Sequence, residues 1–244
     1  MIITQEQLDE FIKCKNDIVY FAENYVQHLS MYSGVTQLEL YPYQIQVLED
    51  DILTAETTRQ IGFSLTSHIK ILHSIIFNDS KTIVFYTPSR DRASHSIQNI
   101  ATLIDLCTLP EIFKPKFKTR NKTNLHFENE MRVISASNIT HIRGFAISEL
   151  FMEEVDYYKD PIEELLRAVI LCIPSHCKIW VWSCLFNGNI SKVKEVLEKR
   201  KNHNHYNLSW YVNPNRDSKW KNNTKSMMSK EQFEQEFVGK YKVD

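Results

Sequence analysis

The sequence predicts an α/β fold, in which helices cover both faces of a mostly parallel sheet. Short apolar stretches alternate with amphipathic ones along the chain, and this alternation is typical of parallel sheets. The 244 residues are 43% hydrophobic and 24% charged, which is an ordinary globular composition, and they contain no internal repeat. This length fits one α/β domain with a small appendage better than two independent domains.

The first predicted elements are helical. Residues 5–29 carry apolar side chains at loosely helical spacing, which predicts one or two helices before a turn at residues 31–37. A new element begins at Tyr41, and the proline that follows is typical of a helix start. The clearest helix follows residues 57–64, because leucine and isoleucine repeat there along one face.

The rest of the chain alternates between predicted strands and helices. Strands are predicted at about 51–56, 81–87, 131–137, 148–154 and 177–183. Further helices are predicted at about 90–106, 161–171 and 190–201. From about residue 206 the chain becomes polar, which predicts an irregular segment at 210–223 and a last amphipathic helix at 229–241.

Composition excludes several classes of protein. The longest apolar runs are too short to span a membrane, and the first residues lack the basic end and apolar stretch of a secretory signal. Five cysteines, an odd number, argue against a disulfide framework and favour a reducing compartment. No zinc-ligand spacing relates Cys172, His176, Cys177, His203 and His205, so we expect buried thiols and surface histidines there.

The formal net charge of −1 gives no overall electrostatic argument for nucleic acid. Positive charge is concentrated in two stretches, residues 114–122 and 192–201. The second contains glutamates at helical spacing and is typical of a solvated helix face. The first is the better candidate for DNA contact, although a plain exposed loop is the simpler interpretation.

Residues 57–64, TTRQIGFS, match part of a phosphate-binding loop, G-x-x-x-x-G-K-S/T. In such a loop backbone amides hold the phosphates, the lysine neutralises them and the hydroxyl holds Mg²⁺. Gly62 and Ser64 retain the second glycine and the hydroxyl, whereas threonine replaces the first glycine and Phe63 the lysine. Taken alone, an ordinary strand-to-helix turn explains this weak match. Arg59 favours the phosphate-binding interpretation, because a guanidinium can supply the missing charge.

A second half of the same site is predicted where the apolar strand 148–154 ends in Glu153 and Glu154. In an ATPase the first acid binds Mg²⁺ and the second orients the attacking water. Adjacent carboxylates at the end of a buried strand repel each other, which favours a shared cation. A solvated acidic turn is the alternative. Arg143, just upstream, is a candidate to stabilise charge during phosphoryl transfer, with a surface salt bridge as the alternative.

Together these pieces resemble the motor domain of the large terminase subunit of tailed bacteriophages, the ATPase that pumps DNA into a prohead. The family's phosphate loop carries R-Q-x-G, found here at residues 59–62, and an R-G pair precedes its acidic strand, found here at 143–144. The resemblance spans nearly the whole chain, through FAENYV, YPYQIQVL, TRQIGFS, TIVFYTPSRDRA, IRGFAISELFMEEVDYY, NPNRDSKW and FEQEF. It implies a P-loop NTPase fold of the RecA-like (ASCE) type, with a small subdomain formed by the N- and C-terminal segments.

The resemblance also implies a role for each matching residue. The residues expected to bind ATP are Tyr43, Gln44, Thr57, Thr58, Arg59, Gln60, Ile61, Gly62, Phe63 and Ser64. Gln44 would recognise adenine, and Ser64 with Glu153 would hold Mg²⁺. In catalysis, Glu154 would polarise the water, Arg59 would contact the phosphates and Arg143 would act as an arginine finger or sensor. Ser183 would couple hydrolysis to movement.

The same resemblance implies an ATPase domain over residues 1–205, with 1–40 as a helical lead-in, and a tail or small subdomain over 206–244 that leads to a linker. The family's nuclease domain is expected to be absent, so no DNA cleavage is expected. The expected partners are double-stranded DNA, a portal protein and the small terminase subunit. The expected assembly is a ring homo-oligomer on the prohead, monomeric in isolation and without contact to a membrane, in the cytoplasm of the infected bacterial host.

Three positions depart from the family's pattern. Phe63 stands at the usual lysine, Glu153 stands at the usual aspartate, and SCLFNG follows the family's S-T-P-x-G only loosely. These changes leave open a degenerate nucleotide-binding or structural module of the packaging complex that does not turn over ATP. A helicase-like ATPase is a third interpretation, because a glutamine motif, a phosphate loop and an acid pair also occur there. Such helicases generally need two domains, and this length has room for one.

Overall fold

The structure is a computed structural model that describes residues 3–30, 34–170 and 173–239. Its helices are α1 (Gln5–Asn16), α2 (Ile18–Tyr25), α3 (Pro42–Glu49), α4 (Phe63–Phe77), α5 (Arg90–Leu106), α6 (Ile162–Leu165), α7 (Asn189–Leu197), α8 (Ser218–Ser226) and α9 (Lys230–Phe233). Its strands are β1 (Gln27–Ser30), β2 (Gly34–Gln37), β3 (Ile52–Thr57), β4 (Thr82–Tyr86), β5 (Phe117–Arg120), β6 (Asn124–Phe127), β7 (Arg132–Ala136), β8 (Glu149–Glu153), β9 (Lys178–Cys184) and β10 (His203–Asn207). The π-helical segments Leu166–Ile170 and Glu234–Val238 extend α6 and α9.

Eight strands in the described part of the chain form one mixed sheet, in the order β10-β3-β9-β8-β4-β7-β6-β5. The strands from β10 to β7 pair in parallel, and β6 and β5 add an antiparallel edge. The carboxyl ends of the parallel strands lie along one edge, which brings together the residues that follow β3, β8 and β9. The predicted α/β fold, a mostly parallel sheet flanked by helices, is confirmed.

Both faces of the sheet are covered, because its central strands are apolar on both sides. Phe151 of β8 belongs to a buried cluster that includes Ile69 of α4. Its neighbours Leu150 and Met152 belong to the cluster on the other face, which includes Val193 of α7. Successive side chains of a strand point to opposite faces, so one apolar strand anchors both layers. Burial of each such side chain contributes about 1.5–3 kcal/mol.

The two N-terminal helices pack on the far end of α4. The ring of Phe77, at the last residue of α4, lies 4.9 Å from the ring of Phe11 and 5.3 Å from that of Phe21. The helical lead-in therefore lies at the opposite end of α4 from the loop that precedes this helix. The predicted domain boundary at residues 205 and 206 falls within β10, and the division into domains stays a prediction.

Several local predictions were wrong, mostly at the edges of the sheet. The basic stretch 114–122 was predicted to be a loop but contains β5, and the end of the predicted helix at 26–29 is largely β1. Part of the segment predicted to be irregular forms α8, and β10 was not predicted. Edge strands carry few apolar residues, and their pairing depends on neighbours distant in sequence. Residues 31–33, 171–172 and 240–241 of the predicted elements lie outside the described residues.

Within residues 3–30, 34–170 and 173–239, no helix is both long enough and apolar enough to cross a membrane. The same ranges contain no group of three or more His, Cys, Asp or Glu side chains arranged to hold a metal ion. Of the sulfur and imidazole set considered above, Cys177 is buried, and His203 and His205 lie 3.0 and 2.9 Å from the hydroxyl of Thr54. Cys172 lies outside the described residues.

Candidate nucleotide-binding site

The segment between β3 and α4 forms one wall of a cavity of about 470 Å³, which we name the loop cavity. Residues 57–65 line it, and the opposite walls are formed by Arg92, Glu154, Tyr157, Trp182 and Cys184. No side chain caps the N-terminus of α4, whose residues all lie in the described part of the chain. The first amides of this long helix therefore lack a side-chain cap, and residues 63–65 of its first turn line the cavity. Such a helix terminus favours a negatively charged group.

Gly62, the residue before α4, is required by both conformation and space. Its φ of +93° lies in the left-handed region, which side chains with a Cβ rarely adopt. A Cβ at this position would lie 3.0 Å from Nε2 of Gln44 and 3.8 Å from the hydroxyl of Tyr43. The predicted loop glycine is thus fixed by close contact with α3.

Tyr43 and Gln44 of α3 hold this loop in place through hydrogen bonds. The hydroxyl of Tyr43 donates a hydrogen bond of 2.7 Å to the carbonyl of Ile61. Nε2 of Gln44 donates to Oγ1 of Thr66 at 2.8 Å and to the carbonyl of Gly62 at 3.3 Å. Its Oε1 accepts from the backbone N–H at the start of α3, and the residue is only 3% exposed. Neither side chain is among those that line the loop cavity, so adenine recognition by Gln44 stays a prediction.

Phe63, at the position of the usual lysine, lies in the apolar core beneath the loop. It is 4% exposed, and its ring lies 5.2 Å from that of Trp182 and 6.1 Å from that of Trp180. Aromatic pairs at these distances stabilise the fold beyond the area they bury. The phenylalanine therefore anchors the start of α4 and leaves the positive charge of the site to other residues.

Two arginines supply positive charge at the loop cavity. Arg59, predicted from the sequence, is 59% exposed and forms an ion pair with Glu236 in the C-terminal tail. Its backbone N–H also donates to the carbonyl of Glu236, at 3.2 Å. Arg92, in the first turn of α5, lines the cavity as well. Arg92 was not predicted from the sequence, although it follows a predicted strand whose carboxyl end lies at the same edge of the sheet.

Ser64, which lines the loop cavity, contacts Glu153, which lies next to the cavity and is not among its lining residues. Oγ of Ser64 donates a hydrogen bond of 2.6 Å to Oε1 of Glu153. Glu153 is 8% exposed, and burial raises the pKa of its carboxyl, which the Ser64 bond and the charge of Arg92 partly offset. Hydroxyl and carboxylate oxygens are the ligands that Mg²⁺ prefers, and a cation would offset the cost of this buried charge. The two side chains therefore fit the predicted metal site.

Glu154 lines the loop cavity from a strained backbone. Its φ of +55° lies in the left-handed region, where a residue with a side chain costs about 1–3 kcal/mol. One carboxylate oxygen accepts a hydrogen bond from the N–H of Cys184 at 2.9 Å, and the other accepts from its thiol at 3.5 Å. Burial raises the pKa of Glu154, and the adjacent charge of Glu153 raises it further. A strained, buried carboxylate in a cavity is typical of a functional site.

Ser183 and Asp156 connect the end of β9 to the turn after β8. The hydroxyl of Ser183, predicted to couple hydrolysis to movement, accepts from the N–H of Asp156 at 3.0 Å. The buried carboxylate of Asp156 accepts four backbone N–H bonds of 2.7–3.2 Å, from Phe186, Asn187, Gly188 and Ile190. Sequence reasoning missed Asp156, although a third acid in EEVD was a visible signal. The coupling role of Ser183 stays a prediction.

Arg143 lies outside the loop cavity and forms a salt bridge. Its Nη2 donates to Oε1 of Glu164 at 2.6 Å, and both side chains are about half exposed. It lines a different cavity, formed by residues 142–148 and the segment that follows α6. The structure does not bring Arg143 to the loop cavity of its own chain, and its catalytic role stays a prediction.

No protein-family model matches this sequence. Among solved structures, the chain is similar to the large terminase ATPase domain of Thermus phage P74-26, with 12% identity and a TM-score of 0.68 over 83% of this chain and 94% of that one. It is similar to the large terminase of bacteriophage HK97, with 14% identity and a TM-score of 0.68 over 93% of this chain and 55% of that one. The large terminase of a thermophilic bacteriophage, in complex with ADP, gives 12% identity and a TM-score of 0.65, over 83% of this chain and 53% of that one.

The chain thus spans about half the length of the last two proteins and nearly all of the first. At such low sequence identity the likeness concerns the fold, and it covers most of this chain. The chain has the fold of the ATPase domain of phage large terminases.

Proposed function

We propose that this chain is an ATP-hydrolysing motor domain that drives double-stranded DNA into a prohead. The observation that carries the proposal is the 2.6 Å hydrogen bond between Ser64 and Glu153. It joins the hydroxyl of a phosphate loop to the first acid of a strand that lies 89 residues further along the chain. The fold likeness to large terminase ATPase domains, with one large terminase solved with ADP and with ATP-γ-S, supports a nucleotide as the ligand.

In the proposed mechanism, the amides of the loop and of the first turn of α4 bind the β- and γ-phosphates. Arg59 and Arg92 add the positive charge that the missing lysine would have supplied. Ser64 and Glu153 would hold Mg²⁺, which when bound neutralises charge on the phosphates.

Glu154, once ionised, orients a water for in-line attack and accepts its proton. The bond between the γ-phosphorus and the oxygen of ADP then breaks, and ADP and phosphate leave. The bonds from Cys184 hold the carboxylate of Glu154 in place during this step.

The proposal includes an assembly. Copies of the chain would form a ring on a portal protein, with double-stranded DNA and the small terminase subunit as further partners, in the cytoplasm of an infected bacterium. Arg143 is exposed and lies outside the loop cavity of its own chain, so in such a ring it would reach the nucleotide of a neighbouring copy. The isolated chain is proposed to be a monomer, and no nuclease activity is assigned to it.

Two observations favour a second candidate, a nucleotide-binding or structural module of the packaging complex without turnover. The core position of Phe63 removes one cation from the loop, and the ion pair of Arg59 with Glu236 occupies another. Such a module would bind nucleotide in the same cavity but release no phosphate.

Steady-state phosphate release by the purified chain, with Mg²⁺, ATP and linear duplex DNA, separates the two candidates. For the motor, Glu154→Gln is expected to lower the rate about 10²–10⁴-fold and to leave nucleotide binding measurable. Arg59→Ala is expected to lower both affinity and rate. Glu195→Gln, an exposed acid on α7 outside the cavity, is the matched control and should retain the full rate. Nucleotide binding without phosphate release, unaffected by Glu154→Gln, would select the second candidate.

A further inference from the structure

A third cavity, of about 550 Å³, runs along β7 to the first turn of α5. Its walls include Arg90, Arg132 and His141, together with Asn124 and Ser135. No acidic residue lines it in the part of the chain that the structure describes. We name it the basic cavity. A cavity with two guanidinium groups and no carboxylate favours an anionic ligand.

Neither arginine of this cavity is neutralised by a residue of the described ranges. Arg90 and Arg132 are exposed, and their side chains make no hydrogen bond or ion pair with any residue in the described ranges. In the basic stretch 114–122, by contrast, Lys118 and Arg120 are paired with Glu130 and Asp105. The sequence suggested that stretch as the candidate for DNA contact, but much of its charge is already neutralised. The basic cavity, by contrast, presents two guanidinium groups that no described carboxylate neutralises.

Two buried polar atoms in the wall also lack a partner among the described residues. They are Oγ of Ser135 and Oδ1 of Asn124. Ser135 is only 5% exposed, so its hydroxyl has lost water without gaining a hydrogen bond from any described residue. Buried polar groups are rarely left unsatisfied in native proteins. A phosphate oxygen would accept a hydrogen bond from this hydroxyl, whereas Oδ1 of Asn124 is itself an acceptor and gives no argument for an anion.

The combination of guanidinium and hydroxyl donors is typical of contacts to the phosphates of a nucleic-acid backbone. Residue 90 opens a helix of 17 residues, whose N-terminus favours an anion, although Asp91 in the same turn offsets part of that field. Contacts to phosphate oxygens carry no information about the bases, so binding through such contacts is independent of sequence.

The first turn of α5 separates this cavity from the loop cavity. Arg90 lines the basic cavity and Arg92 lines the loop cavity. Residues two apart on a helix point in directions roughly 200° apart, so one turn of helix presents a cation to each side. A ligand that shifts this turn alters both cavities, and the resulting coupling is reciprocal.

We propose that the basic cavity binds the phosphate backbone of duplex DNA. The inference rests on the proposed function, because a translocating motor must hold DNA by contacts that do not depend on its sequence. It adds to that function the residues of one DNA contact surface. It also adds the first turn of α5, which lies between this surface and the loop cavity.

Fluorescence anisotropy with a labelled duplex and the full chain tests the proposal. Binding is measured at about 50 mM salt for the double variant Arg90→Ala/Arg132→Ala. Each lost arginine is expected to weaken binding roughly tenfold and to lower by about 1 the slope of log affinity against log salt concentration. The matched control is the pair Lys199→Ala and Lys201→Ala, which removes two exposed cations just before β10, at the opposite end of the parallel strands. This pair should change the affinity far less. An equal loss of affinity in the arginine and the lysine variants, or no loss of affinity in the arginine variant, would overturn the proposal.

Ser135→Ala gives a test that does not depend on charge. It is expected to weaken DNA binding and to raise the melting temperature, because it removes a buried hydroxyl that has no partner among the described residues. A structural role for Ser135 would instead lower the melting temperature. This variant keeps the test decisive if the arginine double variant fails to fold, and unchanged DNA binding by Ser135→Ala would count against the proposed contact.

Competition separates DNA from other sources of phosphate. Inorganic phosphate that displaces the duplex at an equal concentration of phosphate groups, or preferential binding of duplex RNA, would overturn the assignment to DNA. Phosphate release is measured on the same samples. If the chain hydrolyses ATP but does not bind DNA, this inference is overturned and the proposed ATPase activity stands. If the chain binds DNA through these arginines but does not hydrolyse ATP, this inference is supported and the proposed ATPase activity is rejected.

Discussion

Two walls of the loop cavity are held in different ways. The acidic turn, residues 153–156, is held by its neighbours in the sheet: the N–H of Cys184 binds Glu154, and the hydroxyl of Ser183 accepts from the backbone of Asp156. The phosphate loop, residues 57–64, is held by residues distant in the chain, with Tyr43 and Gln44 of α3 on one side.

The C-terminal tail holds the other side of the loop. Nδ2 of Asn213 and Nη2 of Arg216 donate to the carbonyl of Gln60, at 3.2 and 3.3 Å. The guanidinium of Arg216 is itself held over the rings of Trp220 and Phe237, at 4.3 and 5.3 Å. The acidic turn is therefore a fixed part of the sheet, whereas the shape of the loop depends on α3 and on the tail. The loop is the wall that we expect to respond to nucleotide.

The largest expected effect concerns the acidic turn. Asp156→Ala leaves four backbone N–H groups without their acceptor, so we expect the free energy of unfolding to fall by about 3–5 kcal/mol, because bonds to a charged group contribute ~1.5–3 kcal/mol each and are not additive. Chemical denaturation measures this loss. The matched control is Asp217→Ala, which removes a helix cap made by a single N–H bond and should cost about 1 kcal/mol. Equal losses in the two variants would show that Asp156 does not hold the β9–α7 loop.

A smaller effect is expected when the loop loses its brace from α3. Gln44→Ala removes the hydrogen bonds to Thr66 and Gly62, and a loosened loop should bind nucleotide about tenfold less tightly, which corresponds to ~1.4 kcal/mol. Calorimetry with ATP and with GTP distinguishes two roles. Bracing predicts equal losses for both nucleotides, whereas adenine recognition predicts a loss for ATP alone. Gln46→Ala, an exposed glutamine on the same helix, is the control and should bind both nucleotides normally.

The same contrast explains what the sequence could predict. The central strands β8 and β9 were found because their residues are buried on both faces, and such runs stand out in a sequence. The edge strands β5 and β10 are polar and half-exposed, and they form because a neighbouring strand is present. Sheet pairing of that kind is a property of the whole fold, so a local pattern does not reveal it.

The site shows a similar division. Ser64 and Glu153 were predicted from two local motifs, and the sheet brings them together. Arg92 and Asp156 were missed because their importance depends on which strands end side by side. The sequence showed a phenylalanine where lysine is usual, but its place in the core became evident only from the packing of Phe63 on Trp182.

The smallest effect tests the cost of the acidic wall in the absence of nucleotide. Burial raises the pKa of Glu153 above its ordinary value of 4.5, so the folded chain binds this proton more tightly than the unfolded chain. Stability should therefore rise as pH falls through the raised pKa towards 4.5, and the ionised carboxylate destabilises the fold at neutral pH. Glu153→Gln retains an acceptor for Ser64 and carries no charge, so without Mg²⁺ it should raise the free energy of unfolding at neutral pH by about 1 kcal/mol, or ~2–4 °C in melting temperature. Near pH 4.5 this gain should disappear.

Glu163→Gln is the control of opposite sign, because the hydrogen bond from Lys192 lowers the pKa of that exposed carboxyl, and its melting temperature should stay equal or fall slightly. A lower melting temperature for Glu153→Gln at neutral pH would show that the ionised carboxylate stabilises the fold when no cation is bound.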